Sequence, residues 1–208
     1  MSRLPRSFFA RPVLEVAPEL LGAQIRSGPV SIRLTEVEAY AGTSDPASHA
    51  FRGPTPRTQV MFGPAGFLYV YFTYGMHWCA NLVCESDGVA GAVLLRGGEV
   101  VAGHEVARSR RAAAKVDRDL ARGPARLAEA LGLTGADSGA DLCGRGAGLT
   151  VHSGASGLVR QGPRVGISVA TGWPWRFWLD GEPTVSAYRP GGTRSRARSA
   201  IRQTGARD

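Results

Sequence analysis

Alternation of apolar and polar side chains marks most of the regular structure expected in this chain. Val30–Tyr40 alternates as a strand until Ala41-Gly42 breaks it. Over residues 67–73, Phe67, Tyr69, Tyr71 and Thr73 fall on one side, and Leu68, Val70 and Phe72 on the other. Tyr74-Gly75 then reads as a tight turn and His77–Cys84 as the returning strand of a hairpin. Residues 91–96, 164–170 and 175–179 read as further strands, the last closed by Asp180-Gly181. Helical patterning is sparser. Residues 12–21 form a short helix limited by Pro18 and stopped by Gly22, and residues 100–121 look helical. Pro124–Leu131 starts with proline in its first turn and ends at Gly132. Residues 43–64, rich in Gly, Pro, Ser and Thr, read as an ordered loop too long to be a mere connection.

Length and composition narrow the class. The 208 residues, 43% of them hydrophobic, suit one domain with a real core and fit neither a disordered chain nor a membrane protein. No apolar run approaches the roughly 18 residues of a membrane span. The first residues, interrupted by Arg3, Arg6 and Arg11, lack the apolar centre of a secretory signal, so a cytoplasmic protein is expected. Cys79, Cys84 and Cys143 are odd in number and show no Cys-x-x-Cys spacing, which supports neither a disulfide framework nor a zinc site.

Charge adds a partner. The net charge is +8 and lies wholly in the second half: residues 1–100 hold eight basic and eight acidic side chains, residues 101–208 seventeen and nine. A one-sided basic excess suits a polyanion, because neutralising phosphates releases counterions. Lys115 is the only lysine, so an amine nucleophile is almost absent. From Arg189 onward the chain is Gly, Ser and Arg with little apolar content, and it is expected to be disordered when free. The domain is therefore placed at residues 1–190 and a flexible tail at 191–208, whose Arg194, Arg196, Arg198 and Arg202 serve either non-specific polyanion contact or solubility. Arg108, Arg110 and Arg111 form either a solvated face or a phosphate track.

Two segments carry chemistry. Glu36, Glu38 and Tyr40 share one face of a strand, a costly group to bury unless it is used. Alone, the pattern also fits a solvated edge strand. It fits less well a paired-carboxylate glycosidase, because both acids would approach the substrate from one side. Tyr69, Tyr71 and Tyr74 crowd the hairpin, and a tyrosine at its tip cannot fill the core behind it. Stacking a base on an aromatic ring yields about 1–3 kcal/mol, enough to offset much of the cost of extruding a nucleotide.

These residues resemble the 3-methyladenine (alkyladenine) DNA glycosylase family. Glu36-Val37-Glu38-Ala39-Tyr40, Gly66-Phe67-Leu68-Tyr69-Val70-Tyr71 and Tyr74-Gly75-Met76 stand in its order and spacing. His49, Thr55-Pro56-Arg57, Met61-Phe62, Asn81, Val93-Leu94-Leu95-Arg96, Gly123-Pro124 and Arg164-Val165-Gly166-Ile167 also match, over roughly residues 10–188. The resemblance implies a single mixed α/β (α+β) domain: a curved, mainly antiparallel sheet, peripheral helices and a protruding hairpin that intercalates into DNA. It implies base excision repair, in which an alkylated or deaminated purine (3-methyladenine, 7-methylguanine, hypoxanthine, ethenoadenine) is flipped out of duplex DNA and hydrolysed off. Glu38 would be the general base, and Arg96 would position the water or sugar-phosphate. Tyr40, His49 and Tyr71 would sandwich the base, Asn81 would crowd the amino group of normal guanine, and Tyr74 would fill the hole in the duplex. No metal or organic cofactor is implied. The partner would be double-stranded DNA, bound by a monomer in the cytoplasm, at the nucleoid if the source is bacterial. With Lys115 far from Glu38 in sequence, the abasic site would be left uncut. Two rivals remain: a binding module without the reaction, which the retained Glu38 argues against, and a nucleoside hydrolase using Glu36 with Glu38, for which a tip tyrosine has no purpose.

Overall fold

The computed structural model describes residues 1–191; the expectations for the tail arginines lie outside the described residues. In chain order the elements are α1 (Arg6–Phe9), α2 (Val13–Glu19), β1 (Gln24–Ser27), β2 (Val30–Tyr40), β3 (Leu68–Thr73), β4 (His77–Cys84), β5 (Gly91–Ala102), α3 (His104–Arg110), α4 (Pro124–Leu131), β6 (Leu149–His152), β7 (Val159–Gly162) and β8 (Arg176–Leu179). The strands form one curled antiparallel sheet in the order β3-β4-β5-β2-β1-β6, with β8 joined to β2 and β7 to β8. A mixed α/β domain on a curved, mainly antiparallel sheet with peripheral helices was the expectation, and the curled antiparallel sheet agrees with it.

The long central strand β2 organises the sheet. Its first part pairs with β1, its last part (Glu36–Glu38) with β8, and its opposite edge with β5 throughout. The change of neighbour coincides with an irregular register: Leu34 opposes Gly98 while Glu36 opposes Gly97, leaving Thr35 as an extra residue, a β-bulge that bends the strand. Gly98 is needed there. A Cβ on it would stand 2.4 Å from Ile32 Cγ2 and 2.6 Å from the Arg33 carbonyl oxygen. The main core lies on one face of this sheet, with Ile25, Ile32, Leu34, Val37, Leu68, Leu82 and Leu95 packed against Phe9, Val16 and Leu20 from the N-terminal helices and Leu127 and Leu131 from α4.

Two sequence expectations fail. Residues 100–121 are not one helix: β5 continues to Ala102, which pairs with Ser31, Gly103 turns at φ 73°, and α3 runs only from His104 to Arg110. The helix ends where the basic residues find acidic and carbonyl partners. Arg108 pairs with Asp117 and Arg111 with Glu129, while Arg110 donates to the Ala130 carbonyl. All three arginines, read from the sequence as a solvated face or a phosphate track, thus have partners within the protein. Residues 164–170 are not a strand either: Gly166 takes φ 75°, Ala170 takes φ 51°, and the Val165 N–H is directed at a carboxylate instead of a ladder. The remaining readings hold closely, and the four-residue strands β1, β6 and β7 escaped detection because so few residues show no period.

No helix among the described residues is long and apolar enough to cross a membrane.

Candidate active site

The end of β2, the β3–β4 hairpin, the 41–50 loop and residues 165–167 surround one cavity of about 400 Å³. That volume lies within the roughly 300–1,000 Å³ of small-ligand sites. Glu38, Tyr40, His49, Tyr71, Tyr74, Asn81 and Arg96, the seven residues to which the family resemblance gave roles, line it. Strand parity explains part of this convergence, since Glu38 and Tyr40 stay on one face beyond the bulge.

Glu38 is wholly buried although its side chain borders the cavity. Its Oε2 accepts from the Tyr40 hydroxyl at 2.9 Å and its Oε1 from the Val165 backbone N–H at 2.8 Å. Arg96 Nε lies 3.4 Å from Oε1. Burial pushes the Glu38 pKa above its usual 4.5, and Arg96, the Val165 amide and the Tyr40 hydroxyl partly offset that rise. Such a carboxylate is a stronger base than an exposed one. The Tyr40 phenol, itself raised by burial and by the Glu38 charge, stays protonated as a donor.

Glu36, two residues earlier and equally buried, is fully employed. Its carboxylate accepts from Arg96 Nε at 2.8 Å, Arg176 Nε at 2.7 Å, and the Ser186 backbone N–H and hydroxyl at 2.7 and 2.9 Å. It is absent from the cavity wall. Neither an edge strand nor a pair of flanking catalytic acids describes this arrangement, because one acid is structural and the other borders the cavity. Arg96 is accordingly anchored by Glu36 and faces Glu38 second.

The walls are aromatic. Tyr69 and Tyr71 stack at 5.6 Å between centroids with 27° between planes, and His49 stands edge-on to Tyr71 at 4.6 Å. His49 Nδ1 shares a 3.0 Å hydrogen bond with the Tyr69 hydroxyl. The protein around the His49 ring, and secondarily the Arg57 cation, lower its pKa to about 4, so it is uncharged at neutral pH. Arg57 lies over the Tyr71 ring at 5.5 Å, evidence that this ring attracts a cation. Asn81 donates to the Tyr69 carbonyl at 3.1 Å, which fixes its amide on the wall. Tyr74 is 83% exposed at the hairpin tip, with φ 51° beside Gly75 at φ 67°. Positive φ at both central residues gives the turn hand that suits a twisted hairpin.

Sequence reasoning missed Tyr69 as a wall residue, although it shares the Tyr71 face. It also missed Val165, whose contribution is a backbone N–H and leaves no trace in residue type. Asp45 and Arg164 were missed as a buried pair behind Tyr40 because they are 119 residues apart. Among the described residues no cluster of three or more His, Cys, Asp or Glu is placed to hold a metal ion.

The family model described as methylpurine-DNA glycosylase matches residues 7–183. Several bacterial proteins bearing the name "Putative 3-methyladenine DNA glycosylase" are similar over most of their length. The one from Frankia casuarinae is 56% identical over 88% of this chain and 92% of its own. That from Streptomyces avermitilis is 56% identical over 89% and 92%, and that from Burkholderia lata 49% over 88% and 90%.

Proposed function

The chain belongs to the methylpurine-DNA glycosylase family, hydrolases of N-glycosyl bonds in DNA repair, and from that premise we propose that Glu38 activates the water that removes an extruded, damaged purine. The observation that carries this reading is a buried Glu38 facing a cavity lined by Tyr40, Tyr71 and an uncharged His49.

The purine rotates out of the duplex and enters between Tyr40, His49 and Tyr71, while Tyr74 takes its place in the stack. A water beside Glu38 gives up a proton to the carboxylate as its oxygen bonds to C1′. The C1′–N bond breaks and its electron pair leaves with the base. A purine methylated at N3 or N7 is cationic, so it departs neutral and needs no acid. Electron-rich walls favour such a cation by about 0.5–2 kcal/mol, and an uncharged His49 does not repel it. The Glu38 anion also stabilises positive charge developing on the sugar. Tyr69 and Asn81 narrow the slot, and Asn81 disfavours the amino group of undamaged guanine. Lys115 is exposed and not on the cavity wall, which supports hydrolysis without strand cleavage. Residues 1–190 act as one monomeric glycosylase domain. The reaction requires the chain to reach chromosomal DNA, hence a cytoplasmic location.

Base release from duplexes carrying 3-methyladenine, 7-methylguanine, hypoxanthine or ethenoadenine tests the proposal. Release of at least the two methylated bases is expected; no release, or equal turnover of free nucleosides, contradicts it. Tyr74→Ala should weaken binding to a lesion duplex by about 5- to 150-fold, equivalent to losing one stacked ring, as read by fluorescence anisotropy. An unchanged affinity would remove Tyr74 from the interface.

The rate should also fall as the solution is acidified, because only ionised Glu38 takes the proton. Its raised pKa places the midpoint of that acid limb above 4.5, the ordinary value for such a group. A single-turnover pH profile checks this, and a rate flat through that region would rule out Glu38 as the base.

A further inference from the structure

We propose that Arg164, outside the cavity and untouched by substrate, is a positioning residue that fixes the catalytic carboxylate through Tyr40 and Val165 together. The inference rests on the base-excision reading of the same cavity.

Arg164 is almost wholly buried. Its Nη2 donates to Asp45 Oδ1 at 2.9 Å and its Nη1 to Asp45 Oδ2 at 2.5 Å and to the Ala39 carbonyl at 2.9 Å. The guanidinium carbon lies over two rings, 4.6 Å from the Tyr40 centroid and 5.1 Å from that of Trp175. Only Nε has no partner.

Each contact leads to a different part of the site. Tyr40, with Arg164 over its ring, donates its hydroxyl to Glu38 Oε2. Val165 follows Arg164 directly and donates its N–H to Oε1. Asp45 accepts from the Ala41 and Ala47 N–H groups, and so fixes the start of the loop that carries His49. One guanidinium therefore ties the β2 terminus, the 41–50 loop and the 164–166 segment into a single body, and holds both donors on the two oxygens of the base. Stability alone does not call for so many buried polar contacts, since a buried ion pair is often no better than apolar packing of equal volume. Rigid support of a catalytic group does, because a misplacement of about 1 Å can cost roughly 100-fold in rate.

Arg164→Lys keeps the charge opposite Asp45 but loses the planar fork and its contact with the rings. Saturating single-turnover kinetics separate positioning from folding, because unfolded protein lowers the amplitude and not the rate constant. The expected result is a rate constant about 10- to 100-fold lower, lesion-duplex affinity within about threefold, and an acid limb moved to higher pH. The move has that sign because both loosened hydrogen bonds favour the anion, while the other groups facing Glu38 (Arg96 from β5, Tyr71 from β3, Glu36 from its own strand) are unaltered. Trp175→Leu, which removes one of the two rings, a partly exposed one, should shift the limb the same way to a smaller extent. A wild-type rate constant, or a lowered one with the limb unmoved, in either folded variant would overturn the assignment. Failure of the wild-type protein to release any base would instead overturn the glycosylase reading itself.

Discussion

Glu38→Gln lowers the rate of base release from an alkylated duplex by about 10²- to 10⁴-fold without loss of folding stability. Gln has the shape of Glu and can still accept from the Val165 N–H, so the cavity keeps its form while the proton acceptor disappears. The stability half of the expectation follows from linkage. The folded protein holds a proton on Glu38 more tightly than the unfolded chain does, because burial raises the group above its usual 4.5. Keeping it ionised at neutral pH therefore costs stability, and that cost disappears only as pH falls below the unfolded value. Removing the charge removes the cost. Thermal unfolding at neutral pH should show a midpoint equal to or above that of wild type, beside a lesion-duplex affinity that is little changed. A variant both inactive and markedly less stable would place Glu38 among structural acids.

Glu36→Ala has the opposite signature. It strips the shared acceptor from Arg96, Arg176 and Ser186 and leaves two buried guanidiniums without it. Breaking a buried ion pair from one side costs about 3–5 kcal/mol. For a domain of this size each kcal/mol moves the unfolding midpoint by about 2–4 °C, so a loss on the order of 6–20 °C is expected by calorimetry. Activity should fall as well, since Arg96 loses its anchor beside Glu38. A shift of a degree or two would mean that the arginines find other acceptors or water. Two carboxylates two residues apart on one strand thus differ in surroundings: Glu36 is held by Arg96, Arg176 and Ser186, and Glu38, the proposed base, borders the cavity.

That difference could not be read from the chain. Period two placed Glu36, Glu38 and Tyr40 on one face, and the hairpin with Tyr74 at its tip was equally plain from alternation and the Tyr-Gly turn. Which acid borders the cavity depends on what opposes each of them. Arg176 and Ser186, which occupy Glu36, lie 140 and 150 residues away in sequence. Motif resemblance, not periodicity, chose Glu38. The reading of residues 164–170 as a strand went wrong for a related reason. Val165 and Ile167 alternate like strand residues, but Gly166 at φ 75° turns the backbone and the Val165 N–H is spent on Glu38. Over residues 100–121 the expected single helix is interrupted because β5 continues to Ala102 and Gly103 turns at φ 73°, which leaves only His104–Arg110 α-helical there. Local pattern located the elements, whereas long-range pairing of buried charges decided which parts of them act.

A crystal structure of Glu38→Gln bound to a duplex containing 7-methylguanine shows directly whether residue 38 faces an extruded base. The proposed reaction requires the modified base rotated out of the helix between Tyr40, His49 and Tyr71, its C1′ facing residue 38, and the Tyr74 ring inserted where the base had been. A lesion still stacked in the duplex, with Tyr74 outside the groove and nothing between the three rings, would contradict it.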